Sequence, residues 1–297
     1  KSVKMSNKKA KKVENNDSDV EEDQESGSDK DSDFDSDGFF VGDKEIQTDF
    51  EGRNPDDCDF YGIKQLLRQL FLKSNVDLGG LANLIISQNY IGSVVKQCLD
   101  DPMEDDDDDD DEDDGSNGVF GITTIINITK KKEEPCIKQL RELLLKLTDD
   151  NANEKSKELI KDILKDDSNH VGLVINERIL NIPAPISTPL FSSLESELAK
   201  AIGKNMPFNF KYLIWISKTY KIADDPEEMY ANSEERPIAS EALASFDVDV
   251  SDQVDLSQWR EEDESTTPKR KILVFEAKKL NKLIRIMREE IEDGVVA

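Results

Sequence analysis

The stretch DFYGIKQLLRQLFLKSNVDLGGLANLIISQNYIGSVVKQ, residues 59–97, decides the fold. Its first half is the clearest helix in the chain. Phe60, Ile63, Leu66, Leu67, Leu70 and Phe71 recur at three- and four-residue spacing and make one apolar stripe. Lys64, Arg68 and Lys73 fall on the opposite face. Asp56, Asp57 and Asp59 stand at the start, where negative charge suits the helix dipole. Asp77 is placed to cap a second helix carrying Leu78, Leu81, Leu84 and Ile85. Gly92 ends that pattern, and SVVKQC reads as a short strand. Such a stripe has to be covered, so later segments must pack on it in layers.

Working outward, EIQTDFEG reads as a strand before the helices. After SVVKQC comes an unbroken acid run: Glu104, Asp105, Asp106, Asp107, Asp108, Asp109, Asp110, Asp111, Glu112, Asp113 and Asp114. Self-repulsion forbids packing such a run, so residues 100–117 are expected to form a solvated, disordered insertion. VFGITTIINI follows, with Phe120, Ile122, Ile126 and Ile128 alternating with Gly121, Thr123, Ile125 and Asn127. The simplest arrangement is a hairpin whose loop has been lengthened by acid, which costs little closure entropy.

Further on, Pro135 suits the first turn of a helix bearing Ile137, Leu140, Leu143, Leu144 and Leu147. A second helix carries Leu159, Ile160, Ile163 and Leu164. HVGLVINE and YLIWISKTY are apolar runs expected as central buried strands. The prolines of NIPAPISTP predict an extended crossing. Leu190, Leu194, Leu198 and Ile202 stripe a helix. Residues 223–245 are polar and expected as a lid or loop, FDVDV is a strand, and 251–268 is a second polar loop containing Trp259. ILVFEA is a strand, and Leu280, Leu283, Ile284, Met287 and Ile291 stripe a closing helix. Helices alternate with strands, so the expected fold class is α/β: a single domain over residues 45–297, with one mixed central sheet flanked by helices.

Charge is placed unevenly. The net charge is −27 in 297 residues. Residues 13–37 carry twelve acids and one base, residues 100–114 thirteen acids and no base, and residues 1–12 six lysines, which leaves −9 for everything else. Residues 1–44 therefore read as a disordered tail, basic and then acidic and Ser-rich. Met5 looks like a natural start. The exposed lysines of KKAKK (Lys8, Lys9, Lys11, Lys12) suit a nuclear import signal as well as an ordinary solvated run. Ser18, Ser26, Ser28 and Ser32 each precede an acid by three residues, which suits an acidophilic kinase. The acid arms attract basic proteins and repel nucleic acid directly. Three scattered cysteines, Cys58, Cys98 and Cys136, suit a reducing compartment rather than a disulfide framework.

The strings GIKQLLRQLFLK (62–73), LIISQNYIGSVVKQ (84–97), VFGITTIINIT (119–129), VGLVINERILNIP (171–183), YLIWISKTY (212–220) and TPKRKILVFEAKKLNKLI (267–284) resemble the BCCIP/Bcp family of eukaryotic nuclear proteins. The resemblance runs in order from about Glu45 to about Met287 and covers most of the chain. It implies an acetyltransferase-like (GNAT-like) fold and a nuclear location. It also implies a role as a non-enzymatic chaperone or adaptor. One client the resemblance implies is a basic ribosomal protein of the large subunit, delivered in ribosome biogenesis and export. Animal members are linked to a cyclin-dependent kinase inhibitor and a recombination mediator, in cell-cycle control and DNA repair. With an import receptor, these are the implied partners.

The residues offer little for catalysis. No Gln/Arg-x-x-Gly-x-Gly loop for a coenzyme A pyrophosphate and no Walker loop is present; Asp77-Leu-Gly-Gly-Leu and Asn89-Tyr-Ile-Gly-Ser lack the spacing. His170 is the only histidine, which rules out zinc sites built on paired histidines. Asp33-x-Asp35-x-Asp37-Gly38 opens like a calcium loop but has Lys44 where the bidentate acid belongs. No catalytic, cofactor or metal residue is assigned. The acid run Glu104–Asp114 and Trp259 are the expected partner contacts, with Trp215 placed in the core.

Overall fold

The structure, a computed structural model, describes residues 4–5, 49–98, 118–179, 182–222, 227–254 and 266–296. One nine-stranded sheet forms the spine. Its strands are β1 (Lys4–Met5), β2 (Phe50–Arg53), β3 (Ser93–Gln97), β4 (Gly121–Asn127), β5 (Val171–Arg178), β6 (Tyr212–Ile222), β7 (Glu228–Tyr230), β8 (Ala244–Asp249) and β9 (Thr266–Glu276). They run in the order β1-β2-β3-β4-β5-β6-β9-β8, with β7 paired to β6. Every pairing is antiparallel except β5 with β6. The acid insertion does join a hairpin, because β3 and β4 pair from Ser93↔Thr123 to Val95↔Gly121.

The central strands are buried on both sides, and their side-chain alternation splits the core in two. Ile122, Ile126, Leu173, Ile175, Ile214, Ile216, Ile272 and Val274 face one side. There α1 (Phe60–Phe71), α2 (Leu78–Ser87), α3 (Pro135–Asn151) and α4 (Glu154–Lys165) cover them. Ile125, Val174, Leu213, Trp215, Leu273 and Phe275 face the other side, under α5 (Ser187–Gly203) and α6 (Leu280–Val296). The α1 stripe is fully engaged: Ile63, Leu66, Leu67, Leu70 and Phe71 are all buried. The Asp77 side chain accepts from the Gly80 N–H at 2.9 Å and caps α2, as its position implied. Pro135 opens α3. Trp215 is fully buried and stacks on Phe191, ring centres 5.6 Å apart. No described helix is long and apolar enough to cross a membrane.

Several expectations are corrected. The stretch 223–245 is not simply a polar loop: it contains β7, short 3₁₀ turns at Ser233–Glu235 and Pro237–Glu241, and the start of β8. Asn232, Glu234, Glu235 and Ile238 in it are buried; Glu234 is bonded by Arg178 and Ser187, and Glu235 Oε1 by Asn176 and Asn232. The loop expected over 251–268 ends earlier, since β9 starts at Thr266 and its polar half pairs with β6. Pro185 sits in a 3₁₀ turn and Pro189 in the first turn of α5, where a missing N–H is harmless, instead of in an extended crossing. Ile202 is 43% exposed, and Phe120 packs on Phe50 outside the Ile122 face. Lys4–Met5 of the expected tail pair with β2 as an edge strand.

Candidate functional site

The one parallel pair among the described strands separates before its strands end. β5 and β6 are in register only from Val171↔Tyr212 to Val174↔Trp215, although both strands continue beyond. Past that point β5 presents Asn176, Glu177 and Arg178, and β6 presents Ser217, Lys218 and Thr219. On the α5–α6 face the gap is filled by the 3₁₀ turn Ser233–Glu235 and the residue before it. Arg178 makes a two-pronged pair with Glu234, with Nη2 to Oε2 at 2.9 Å and Nη1 bonded to Oε1. Ser187 Oγ donates to Glu234 Oε1 at 2.7 Å, and Arg178 Nη1 donates to Ser187 Oγ at 3.0 Å. Asn176 Nδ2 donates to Glu235 Oε1 at 2.7 Å, and Asn232 Nδ2 donates to the Asn176 carbonyl at 3.1 Å. On the other face Lys218 Nζ reaches across to Glu177 Oε2 at 2.5 Å, and Arg270 Nε donates to the Leu70 carbonyl at 3.0 Å.

Burial sets the electrostatics of this wedge. Desolvation, reinforced by the neighbouring Glu234 charge, pushes Glu235 up to about 7. Desolvation also raises Glu177 against the opposing pull of Lys218. The gap thus holds internal carboxylates and cations.

A second arrangement lies at the same end of the strands, three strands further toward the β2 edge. Asp49, the first described residue after the acidic tail, lies beside Cys98, the last before the acid insertion. The Cys98 N–H donates to the Asp49 carbonyl at 2.7 Å. The insertion returns at Gly118, whose φ of +56° favours glycine, and Phe120 then packs edge-on against Phe50, centres 5.3 Å apart. The chain that follows the N-terminal acidic stretch and the chain that precedes the acid insertion therefore meet at one corner of the sheet. The predicted contact residues Glu104–Asp114 and Trp259, lysines 8, 9, 11 and 12 and serines 18, 26, 28 and 32 themselves lie outside the described residues.

Near this corner Asp56, Cys58 and Asp59 bring three potential metal ligands together. A cation already sits there: Lys96 Nζ lies 2.5 Å from Asp59 Oδ1 and 3.4 Å from Cys58 Sγ. The hydrogen bond to Asp56, with burial, raises the Cys58 thiol, which leaves it a poor thiolate. His170 has no cysteine contact; its carbonyl accepts from the Lys211 N–H at 2.8 Å.

Residues 45–266 match the family BCCIP. The chain belongs to the BCCIP family. Its BCCIP relatives match over most of their own length. The Drosophila melanogaster protein named "Protein BCCIP homolog" is 41% identical over 252 residues, covering 82% of this chain and 84% of that one. The Homo sapiens protein named "BRCA2 and CDKN1A-interacting protein" is 34% identical over 268 residues, covering 83% and 82%. The crystal structure of BCP1 from Saccharomyces cerevisiae superposes with a TM-score of 0.54 at 20% identity, covering 81% of this chain and 86% of that one. That likeness shows a shared mixed α/β fold with a mostly antiparallel sheet.

Sequence reasoning overlooked the wedge in this BCCIP chain. Arg178, Glu234 and Glu235 look like ordinary surface charges. The signal was present in VGLVINER, where a fully apolar strand continues into Asn-Glu-Arg without a turn residue. Charges inside a strand buried on both faces need buried partners.

Proposed function

We propose that this protein is a nuclear, non-enzymatic chaperone or adaptor that holds a basic ribosomal protein of the large subunit and supports ribosome biogenesis and export. The observation that carries the reading is the shared root of the two acidic segments at Asp49 and Cys98. Residues 13–37 and 100–114 together place a charge of −24 on chain tethered to that corner. Such a concentration raises the encounter rate with cationic partners and shields them from nucleic acid. The KKAKK string supports delivery to the nucleus by an import receptor. Membership of the BCCIP family, whose human member is named for its interactions, supports an adaptor role over catalysis. The divergence of β5 from β6 supports an acetyltransferase-like ancestry for the sheet, and the Glu234–Glu235 wedge supports loss of a coenzyme slot from it.

A second reading is favoured by the name of the human relative: a nuclear scaffold binding a cyclin-dependent kinase inhibitor and a recombination mediator. Pull-down of the full chain from nuclear extract, eluted with graded salt, separates the two. The first reading expects a basic large-subunit ribosomal protein in the eluate, and its absence from a variant with Glu104–Asp114 changed to Gln and Asn. Recovery of kinase-inhibitor and repair proteins alone, from both forms, replaces the first reading with the second.

A further inference from the structure

At the far end of the strands from the wedge, a broad cavity of about 880 Å³ opens to solvent beyond the starts of β5 and β6. Its walls are fixed by the buried Asn127 at the end of β4. Asn127 Oδ1 accepts from the Lys130 N–H at 2.9 Å, and its Nδ2 donates to the Pro207 carbonyl, so the turn after β4 and the loop after α5 are held together. The Lys211 N–H, bonded to the His170 carbonyl at 2.8 Å, fixes the start of β6 against that of β5. The lining carries three lysines, Lys130, Lys211 and Lys278, against one carboxylate, Glu276. Glu276 is already paired with Lys278 at 3.0 Å. Lys130 and Lys211 are exposed and form no ion pair among the described residues; Lys211 acts on Asp166 at longer range. The same lining holds Met206 and Phe210, both half-buried, and Ile202, which is 43% exposed.

We propose that this cavity docks an acidic peptide segment of a partner protein, which sets an apolar side chain on Ile202, Met206 and Phe210 and its carboxylates on Lys130 and Lys211. This partner is of a different class from a basic client, and the proposal does not depend on the client-holding reading. Charge selects the occupant. Two exposed cations of the lining have no carboxylate, and an anionic segment complements them. The apolar part of the lining calls for a side chain rather than a bare ion, since Ile202 continues the stripe that α5 buries at Leu194 and Leu198. Two features set peptide above nucleic acid. α5 ends at the cavity, so it brings its carbonyl end there instead of the N–H groups that cradle a phosphate. Phe210, the aromatic residue of the lining, is half-buried and packs edge-on to the buried Phe208, ring centres 5.9 Å apart, which leaves little open face for a stacked base.

The test is anisotropy titration of the full chain, at 0.15 M salt, with two fluorescently labelled peptides, Asp-Asp-Phe-Leu-Asp-Asp and Asp-Asp-Ser-Ser-Asp-Asp. The Phe-Leu peptide is expected to bind about tenfold more tightly, the effect of burying one apolar side chain. Ile202→Ser is expected to reduce that preference. Lys130→Glu combined with Lys211→Glu is expected to weaken both peptides by about tenfold or more. Lys64→Glu combined with Lys138→Glu, at exposed lysines of α1 and α3 that do not line the cavity, changes the net charge equally and is expected to leave affinity within about twofold. Equal weakening by the two double variants overturns the proposal, because it reports only the field of the whole chain. Equal affinity for the two peptides, or no binding of either, overturns it as well. Binding of a labelled uridine decamer that is tighter than either peptide and lost in the Lys130, Lys211 variant replaces it with an RNA site. Peptide binding that appears only when Glu104–Asp114 are changed to Gln and Asn overturns it in favour of the chain's own acid run as occupant.

Discussion

Arg178 at the end of β5 and Glu234, 56 residues further on, form a buried two-pronged ion pair that closes the gap between the sheet's two parallel strands. Glu234 is fully buried and Arg178 nearly so, and Ser187 bonds to both. Satisfied in this way the pair is tolerated, but either half alone is an unpaired charge in the core. Arg178→Ala is expected to cost about 3–5 kcal/mol in denaturant unfolding. The double variant Arg178→Met, Glu234→Leu is expected to recover most of that, because it removes both charges and keeps volume. A single variant as stable as wild type shows that the wedge is not packed as described.

Glu235 makes the wedge sensitive to pH. Burial raises its carboxyl to about 7 in the fold, against about 4.5 unfolded. The neutral form is thus favoured by folding. Its stabilisation is fully present below about pH 4.5 and is lost as pH rises through about 7. Glu235→Gln keeps an acceptor for Asn176 and Asn232 and cannot ionise. It is expected to match wild type near pH 4 and to exceed it by about 3 kcal/mol at pH 8. Exposed carboxylates such as Asp166 and Glu241 are lowered by their hydrogen bonds and shift the whole profile the other way. The difference between the two proteins, measured by melts across pH, therefore isolates the wedge.

Gly92 links α2 to β3 with φ at +97°, and a Cβ there would lie 2.5 Å from the Thr123 carbonyl oxygen. Strain and contact act together, so Gly92→Ala is expected to destabilise by about 2–4 kcal/mol. The backbone shift would also disturb the hydrogen bond that the Gly92 N–H donates to Glu197 Oε2. A thermal melt within a degree of wild type speaks against the geometry of this turn.

Neutralising Glu104–Asp114 with Gln and Asn removes no packed side chain from the core described here. Unfolding free energy is expected to stay within about 0.5 kcal/mol of wild type. Affinity for decalysine at 0.15 M salt is expected to fall at least tenfold, and the slope of affinity against salt to flatten. Unchanged affinity places cation binding on another surface.

Much of the layered fold was legible in advance. The α1 stripe, the Asp77 cap, Pro135 at the head of α3, the two-faced strands at VGLVIN and YLIWIS and the buried Trp215 all follow from local periodicity and capping chemistry. The errors fell where polar residues were taken as a sign of exposure. SEERP and TTPKRK contain little but charge, turn residues and hydroxyls, yet the first plugs the sheet and the second extends its longest pairing.

By itself the sequence determined which segments bury an apolar face, and that the net charge of −27 is carried mainly on two acid-rich runs. Those properties are local, since spacing within a helix or strand and repulsion within an acid run need no knowledge of distant neighbours. Only the tertiary structure decided that residues 49 and 98, the described residues next to the two masses of acid in the sequence, are joined by a hydrogen bond at one corner. It alone also decided that Glu234 and Glu235 go inside. Whether a charged side chain is solvated or buried depends on whether a partner arrives from elsewhere in the chain, and a one-dimensional pattern does not hold that information.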